Sequence, residues 1–176
     1  MGNKTSGIIG SLVMLSFGAI SFYRFYTTGL IFFLLMVFRD VLAAWFLIRR
    51  NPNIGEDSNK FFALASYISS AIPLFYYKES FNNSNLVLAA GLISIIGFSI
   101  STLALIELGN SFGVSPANRG MISSGVYRFM NHPMYLGYVI SEFGCVLLNP
   151  LNVIIYILSM SLYYLRAQSE SKILKI

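Results

Sequence analysis

The sequence predicts an all-α fold: a polytopic membrane helix bundle of about five to six transmembrane helices, closed by a C-terminal helical hairpin. Three observations carry that prediction. Only 11% of the residues are charged and 56% are hydrophobic, whereas soluble domains are roughly a quarter charged. So few charges cannot cover a water-facing surface. The long apolar runs also lack the polar stripe at helical period that a soluble bundle would show. Finally, the basic residues gather at the ends of alternate runs. The length suits a single domain spanning residues 1–176.

A spanning helix needs about 20 mostly apolar residues. Six runs approach that length: 7–23, 28–48, 61–77, 85–107, 133–148 and 150–167. The first lacks the strongly basic start and small-residue cleavage site of a signal peptide, so it is expected to remain as a helix. Arg24 and Gly29 within "RFYTTG" predict a break before the second run. The fifth and sixth runs are short, and "LLNPLN" between them reads as a tight turn. Pro150 supports the turn because it lacks the amide that a continuing helix needs. This hairpin either just crosses the bilayer or reaches deep without fully crossing.

Charge placement predicts orientation. With six spans, Lys4, Arg49, Arg50, Lys60, Arg119, Arg128, Arg166, Lys172 and Lys175 share one side, and only Arg24 and Lys78 lie on the other. That bias predicts that both termini and the 108–132 loop are cytoplasmic. Attraction to anionic membrane lipids accounts for the net charge of +5. No basic stripe interleaved with aromatics calls for nucleic acid, and no metal is expected. The lone Cys145 excludes an intramolecular disulfide and reads as a small apolar filler.

The chemistry concentrates in "GVYRFMNHPMYLG", residues 125–137, which holds the single histidine of the chain. Asn131 or His132 can cap a helix whose first turn contains Pro133. At about 100° per residue, His132, Tyr135, Val139 and Glu142 share one face of that helix. Gly137, Ser141 and Gly144 share another, a small-residue seam suited to close packing. Two readings follow. In one, His132 is a cap and Tyr135 an interfacial anchor. In the other, the face is functional, and Glu142, about ten residues into the span, favours this because intramembrane acids are functional candidates by default. A helix start attracts anions, so the expected ligand is an anionic or zwitterionic cofactor at the cytoplasmic border. In "FRDVLAAW", Arg39 and Asp40 are helix neighbours that do not face each other, so each needs a partner elsewhere. Glu107 and Glu142 are available to Arg39, and a structural ion pair is preferred to a substrate role.

The segment 108–144, "LGNSFGVSPANRGMISSGVYRFMNHPMYLGYVISEFG", resembles the isoprenylcysteine carboxyl methyltransferase family, part of a wider group of small membrane methyltransferases that includes phospholipid N-methyltransferases. The family signature is Gly-x-Tyr-Arg leading into Arg-His-Pro-x-Tyr-x-Gly. Gly125, Tyr127, Arg128, His132, Pro133, Tyr135 and Gly137 match it, and Leu108, Gly109 and Phe112 match the preceding Leu-Gly-Arg-x-Phe loop. The resemblance is strong over about the last 70 residues and weak before them.

What the resemblance implies is a membrane methyltransferase that uses S-adenosyl-L-methionine, with a lipophilic small-molecule or lipid acceptor entering from the bilayer. His132 and nearby amides would hold the methionine end of the cofactor. Pro133, Tyr135 and Gly137 would shape its pocket, with Glu142 on the same helix. The tail, 166–176, would close the site. Its "ESKIL" partly matches the family's Glu-Glu-x-x-Leu, making Glu170 a candidate for the cofactor's hydroxyls or amine, or else an ordinary solvated charge. Two departures stand out. Asn131 replaces the motif arginine, for which Arg128 is a substitute to consider, and the Phe-Gly-x-x-Tyr continuation is missing. No catalytic residue is assigned. A carboxylate acceptor needs no base, whereas an amine or thiol must lose a proton, for which His132 and Glu142 are at hand. Two other readings stay open: an NADPH-dependent membrane sterol or steroid reductase, which shares a His-Pro-x-Tyr region, and a non-enzymatic membrane scaffold of the same fold.

Overall fold

A computed structural model of the chain describes residues 3–55, 60–78 and 83–175. The described residues form six α-helices and no strand: α1 (Asn3–Thr28), α2 (Ile31–Arg49), α3 (Lys60–Ala71), α4 (Ser84–Leu108), α5 (Pro133–Leu148) and α6 (Asn152–Leu174). Three of them, α1, α2 and α4, are long and apolar enough to cross a membrane. At 16 residues, α5 is about 24 Å long, short of the ~30 Å hydrocarbon core. Together the helices make an all-α membrane bundle.

Local chemistry explains the boundaries. The chain turns from α1 to α2 at Gly29, whose φ of 71° suits a residue without a Cβ, and whose amide donates to the Phe25 carbonyl at 2.8 Å. The expected break within 24–29 thus falls at its Gly29 end, and α1 runs past the expected limit at 23. Arg24 stays inside α1, donates to the Tyr76 carbonyl and lies 4.9 Å from the Phe33 ring centroid. Its long stem lets the charge reach polar backbone at the bundle end without interrupting the helix. Pro73 ends α3 early, and Ile72–Phe75 continues as a 3₁₀ turn. The Asn83 side chain caps α4 by accepting from the amides of Asn85 and Leu86.

The expected hairpin is present. Leu151 donates to the Asn149 side chain at 3.0 Å, and Pro150 is exposed in the turn. The buried Asn152 holds the turn in place by donating to the carbonyls of Cys145 and Tyr77 and accepting from the Tyr77 amide. The last helix runs to Leu174, well past the expected end at 167. Its polar final turns pack inward, with Arg166 and Ser169 buried. Ile176, at the end of the expected tail, lies outside the described residues.

Helix α5 packs closest on α4, through the predicted small-residue seam. A Cβ on Gly97 would lie 2.5 Å from the Gly137 carbonyl oxygen, and one on Gly144 would lie 2.5 Å from that of Ala90. Backbones approach this closely only where side chains are absent or small. The loops sort into two ends. At one end Arg50 donates to Ser6, Asn51 to the Asn110 carbonyl, and Ile54 to that of Asn118. At the other, Arg24, Tyr76, Tyr77, Lys78, Asn149 and Asn152 meet.

Arg39 and Asp40 find each other rather than remote partners. Arg39 Nε and Nη2 donate to Asp40 Oδ1 at 2.8 and 2.6 Å, with both residues buried. The arginine side chain is long enough to fold back along the helix, which the rule for adjacent positions does not anticipate. Its guanidinium also lies 5.5 Å from the Tyr138 ring centroid.

Candidate functional site

A cleft opens at the end of the bundle that carries the 109–132 loop. The loop from Leu108 to Ser123 forms one wall, and the start of α5 with the last turns of α6 forms the other. It holds about 900 Å³ of non-protein space, its open mouth included. The walls are apolar at Leu108, Phe112, Met121, Ile122, Met134 and Leu174, with polar groups from Tyr127, Asn131, His132, Tyr135 and Glu170 between them.

His132 occupies the N-cap position of α5, but no side chain caps the helix. Its imidazole instead reaches α6. His132 Nε2 lies 2.8 Å from Ser171 Oγ, and Nδ1 lies 3.7 Å from Glu170 Oε2. One turn further on, the Tyr135 hydroxyl donates to Glu170 Oε1 at 2.5 Å. The predicted His132, Tyr135 and Glu170 thus converge, although 35 residues separate Tyr135 from Glu170 in sequence. Helical spacing of the first two and the unexpected length of α6 bring them together.

The other predicted residues lie elsewhere. Pro133 is buried at the first position of α5 and does not line the cleft. Gly137 faces α4, where a Cβ would come within 2.6 Å of the Gly97 carbonyl oxygen and the Ser101 nitrogen. Glu142 is buried two turns below the cleft. It accepts from the Tyr163 hydroxyl at 2.5 Å and from the Tyr76 hydroxyl at 2.8 Å. Both its oxygens are therefore engaged, and it joins α5, α6 and the segment after α3.

Apart from the motif residues Gly125 and Tyr127, several further participants carry no local signal in the sequence. Arg166 is buried, donates to Ser69 Oγ and to the Val114 carbonyl, and lies 5.2 Å from the Tyr135 ring centroid. It fixes α6 against α3 and against the cleft loop. Glu107 accepts the Val126 amide at 2.7 Å, holding the 3₁₀ turn Gly125–Arg128 that carries Tyr127 into the cleft. Gly125 has φ of 54°, and a Cβ there would fall on the Glu107 carboxylate. Burial raises the Tyr127 hydroxyl well above its ordinary pKa, with the negative charges of Glu170 and Glu107 adding to the effect. It therefore stays a neutral donor at physiological pH. Arg119 is buried and lines the cleft, whereas Arg128 is exposed and does not.

The arrangement can hold a small zwitterion between apolar walls. The cleft offers one carboxylate, one guanidinium, an imidazole and two phenols among its described residues.

No curated protein and no solved structure matches the chain. The family model described as phospholipid methyltransferase matches residues 84–175, just over half of the chain. The matched region begins at α4 and includes the second cleft wall and the last turns of α6. The chain therefore belongs to the phospholipid methyltransferase family.

Proposed function

We propose that this protein transfers a methyl group from S-adenosyl-L-methionine, bound in the cleft, to a lipophilic acceptor that arrives from the bilayer. The observation that carries the reading is the convergence of His132, Tyr135 and Glu170 on a cleft at one bundle end, within the region matched to the family. The run from Gly125 to Gly137 supports the isoprenylcysteine carboxyl methyltransferase branch of the wider group.

The donor set fits such a cofactor. A zwitterionic amino-acid end asks for one cation and one anion, which Arg119 and Glu170 supply in this cleft. Adenine asks for apolar walls, which Met121, Ile122 and Leu174 supply. When bound, the cofactor brings a methyl group on a positively charged sulfur, already activated for transfer.

The work of the protein is then alignment and exclusion of water. Tyr135 and His132 are fixed by Glu170 and Ser171, so their polar atoms keep their positions without ordering at the moment of reaction. Apolar walls keep water from competing with the acceptor. For an amine or thiol acceptor, His132 can receive the proton at whichever ring nitrogen is unprotonated. Glu142 is set apart from that task, because two tyrosines occupy its oxygens below the cleft. The basic loops gathered at the cleft end support a cytoplasmic opening.

Thermal unfolding of the purified protein in detergent tests the reading. S-adenosylhomocysteine should raise the unfolding temperature and NADPH should not. Stabilisation by NADPH alone would favour a reductase. Stabilisation by neither would favour a scaffold.

A further inference from the structure

Asn131 stands at the exposed start of α5 where the motif residue would be an arginine, and Arg128 is exposed and outside the cleft. The cleft nevertheless contains a guanidinium. Arg119 lines it and is only 6% exposed, and among the described residues it is the one arginine or lysine that does so.

The loop is shaped around this side chain. Gly113 lies against it so closely that a Cβ there would sit 2.4 Å from Arg119 Nη1. Gly120, directly after it, has φ of 101°, which a residue with a Cβ rarely adopts. Ser111 Oγ donates to the Arg119 carbonyl at 3.1 Å, fixing the backbone from the other limb of the loop. A guanidinium buried on a cleft wall, opposite in charge to Glu170 and sharing the cleft with His132, is suited to receive an anion.

We infer that Arg119, held by the Gly113 and Gly120 backbone, is the anion seat of the cleft and binds a carboxylate or phosphate group of the ligand. The inference deepens the proposed function and rests on it for the identity of the ligand: the anion is the carboxylate of the cofactor's amino-acid end or the phosphate of a lipid headgroup.

Three soluble probes separate these sources. S-adenosylhomocysteine carries the carboxylate, 5′-methylthioadenosine is the same nucleoside thioether without it, and glycerophosphoethanolamine carries a phosphodiester. Binding of each is measured by calorimetry on the full chain in detergent, for the native protein, Arg119→Gln and Gly113→Ala. The second variant keeps the arginine but displaces its guanidinium, so the test survives if the first fails to fold.

The expected result is about a ten- to hundred-fold loss of S-adenosylhomocysteine affinity in both variants, as for one charge-assisted hydrogen bond, with methylthioadenosine unchanged. A loss confined to glycerophosphoethanolamine would keep the seat and assign it to the headgroup. If the native protein binds only that phosphodiester, and does so through Arg119, the seat stands and the cofactor reading fails. Equal losses for S-adenosylhomocysteine and methylthioadenosine would make Arg119 a loop-packing residue and overturn the inference. So would unchanged affinities throughout. A native protein that binds none of the three overturns both readings.

Discussion

Tyr163 donates its hydroxyl to Glu142 Oε1 at 2.5 Å, and the Tyr76 hydroxyl takes the other oxygen of the same carboxylate at 2.8 Å. The buried acid therefore connects α5 to α6 and to the segment following α3. Leaving a buried carboxyl oxygen without its hydrogen-bond partner costs about 1–3 kcal/mol. Tyr163→Phe should lower unfolding free energy by about that amount. Tyr76→Phe should do the same, and in a cycle with Glu142→Gln each should show coupling. S-adenosylhomocysteine affinity should change little in Tyr76→Phe. If Tyr76→Phe abolishes binding while stability holds, Glu142 belongs to the ligand site after all.

The seam between α4 and α5 gives an internal contrast. Gly91 and Gly97 both lie in α4, but a Cβ on Gly91 would make ordinary contact with Ile31 at 3.4 Å, and one on Gly97 would lie 2.3 Å from the Ser141 nitrogen. Alanine favours a helix over glycine by about 1 kcal/mol. Gly91→Ala should thus be neutral or stabilising. Gly97→Ala should cost about 1–3 kcal/mol, because backbone rather than a flexible side chain stands in the way. Thermal unfolding of the two variants in one detergent decides this, and equal midpoints would contradict it.

Glu107 and Gly125 should act as a unit. The Glu107 carboxylate accepts the Val126 amide, and the space at Gly125 is what lets it approach. Either Glu107→Ala or Gly125→Ala should release the Gly125–Arg128 turn and speed hydrogen exchange at Val126. Loss of one such bond, at about 1.5–3 kcal/mol, predicts exchange roughly ten- to a hundred-fold faster there, with exchange in α4 unchanged. Uniform acceleration along the chain would show general unfolding instead.

Orientation is open to labelling. In a Cys145→Ala background, Ser124→Cys lies at the exposed cleft end and Pro150→Cys at the exposed opposite end. The basic bias of the cleft end predicts that an impermeant maleimide reaches position 150 from outside intact cells and position 124 only after permeabilisation. The reverse pattern would put the cleft outside.

How much of this was readable beforehand differs from element to element. The apolar runs located all six helices, because burial in a bilayer leaves a compositional trace. Residues 133–148 coincide with α5, since Pro133 and the Asn149–Pro150 turn are local signals. The far end of α6 was not readable. "QSESK" has the polarity of a solvated tail, yet its Ser169 is buried and its Glu170 and Ser171 meet α5. The partners of Glu142 stand 66 and 21 positions away in sequence, a separation that no helical period encodes. Arg119 counted only as a basic loop residue, because its burial depends on how the loop folds over the cleft.

The histidine provides the most direct test of the site. Its place at the start of α5 invites the reading of a helix cap, but the His132 side chain makes no cap bond and turns to Ser171 and Glu170. A capping side chain replaced by alanine typically costs about 1 kcal/mol of stability. A ligand-holding imidazole replaced by alanine costs affinity instead. His132→Ala should therefore leave the unfolding midpoint nearly unchanged and weaken S-adenosylhomocysteine binding about ten- to a hundred-fold, the loss of one charge-assisted hydrogen bond. Ser171→Ala, which removes only the tether of the ring, should give a smaller loss in the same direction. Calorimetry and thermal unfolding on the same preparations distinguish the two roles. A lowered midpoint with unchanged affinity would return His132 to the helix as a structural residue.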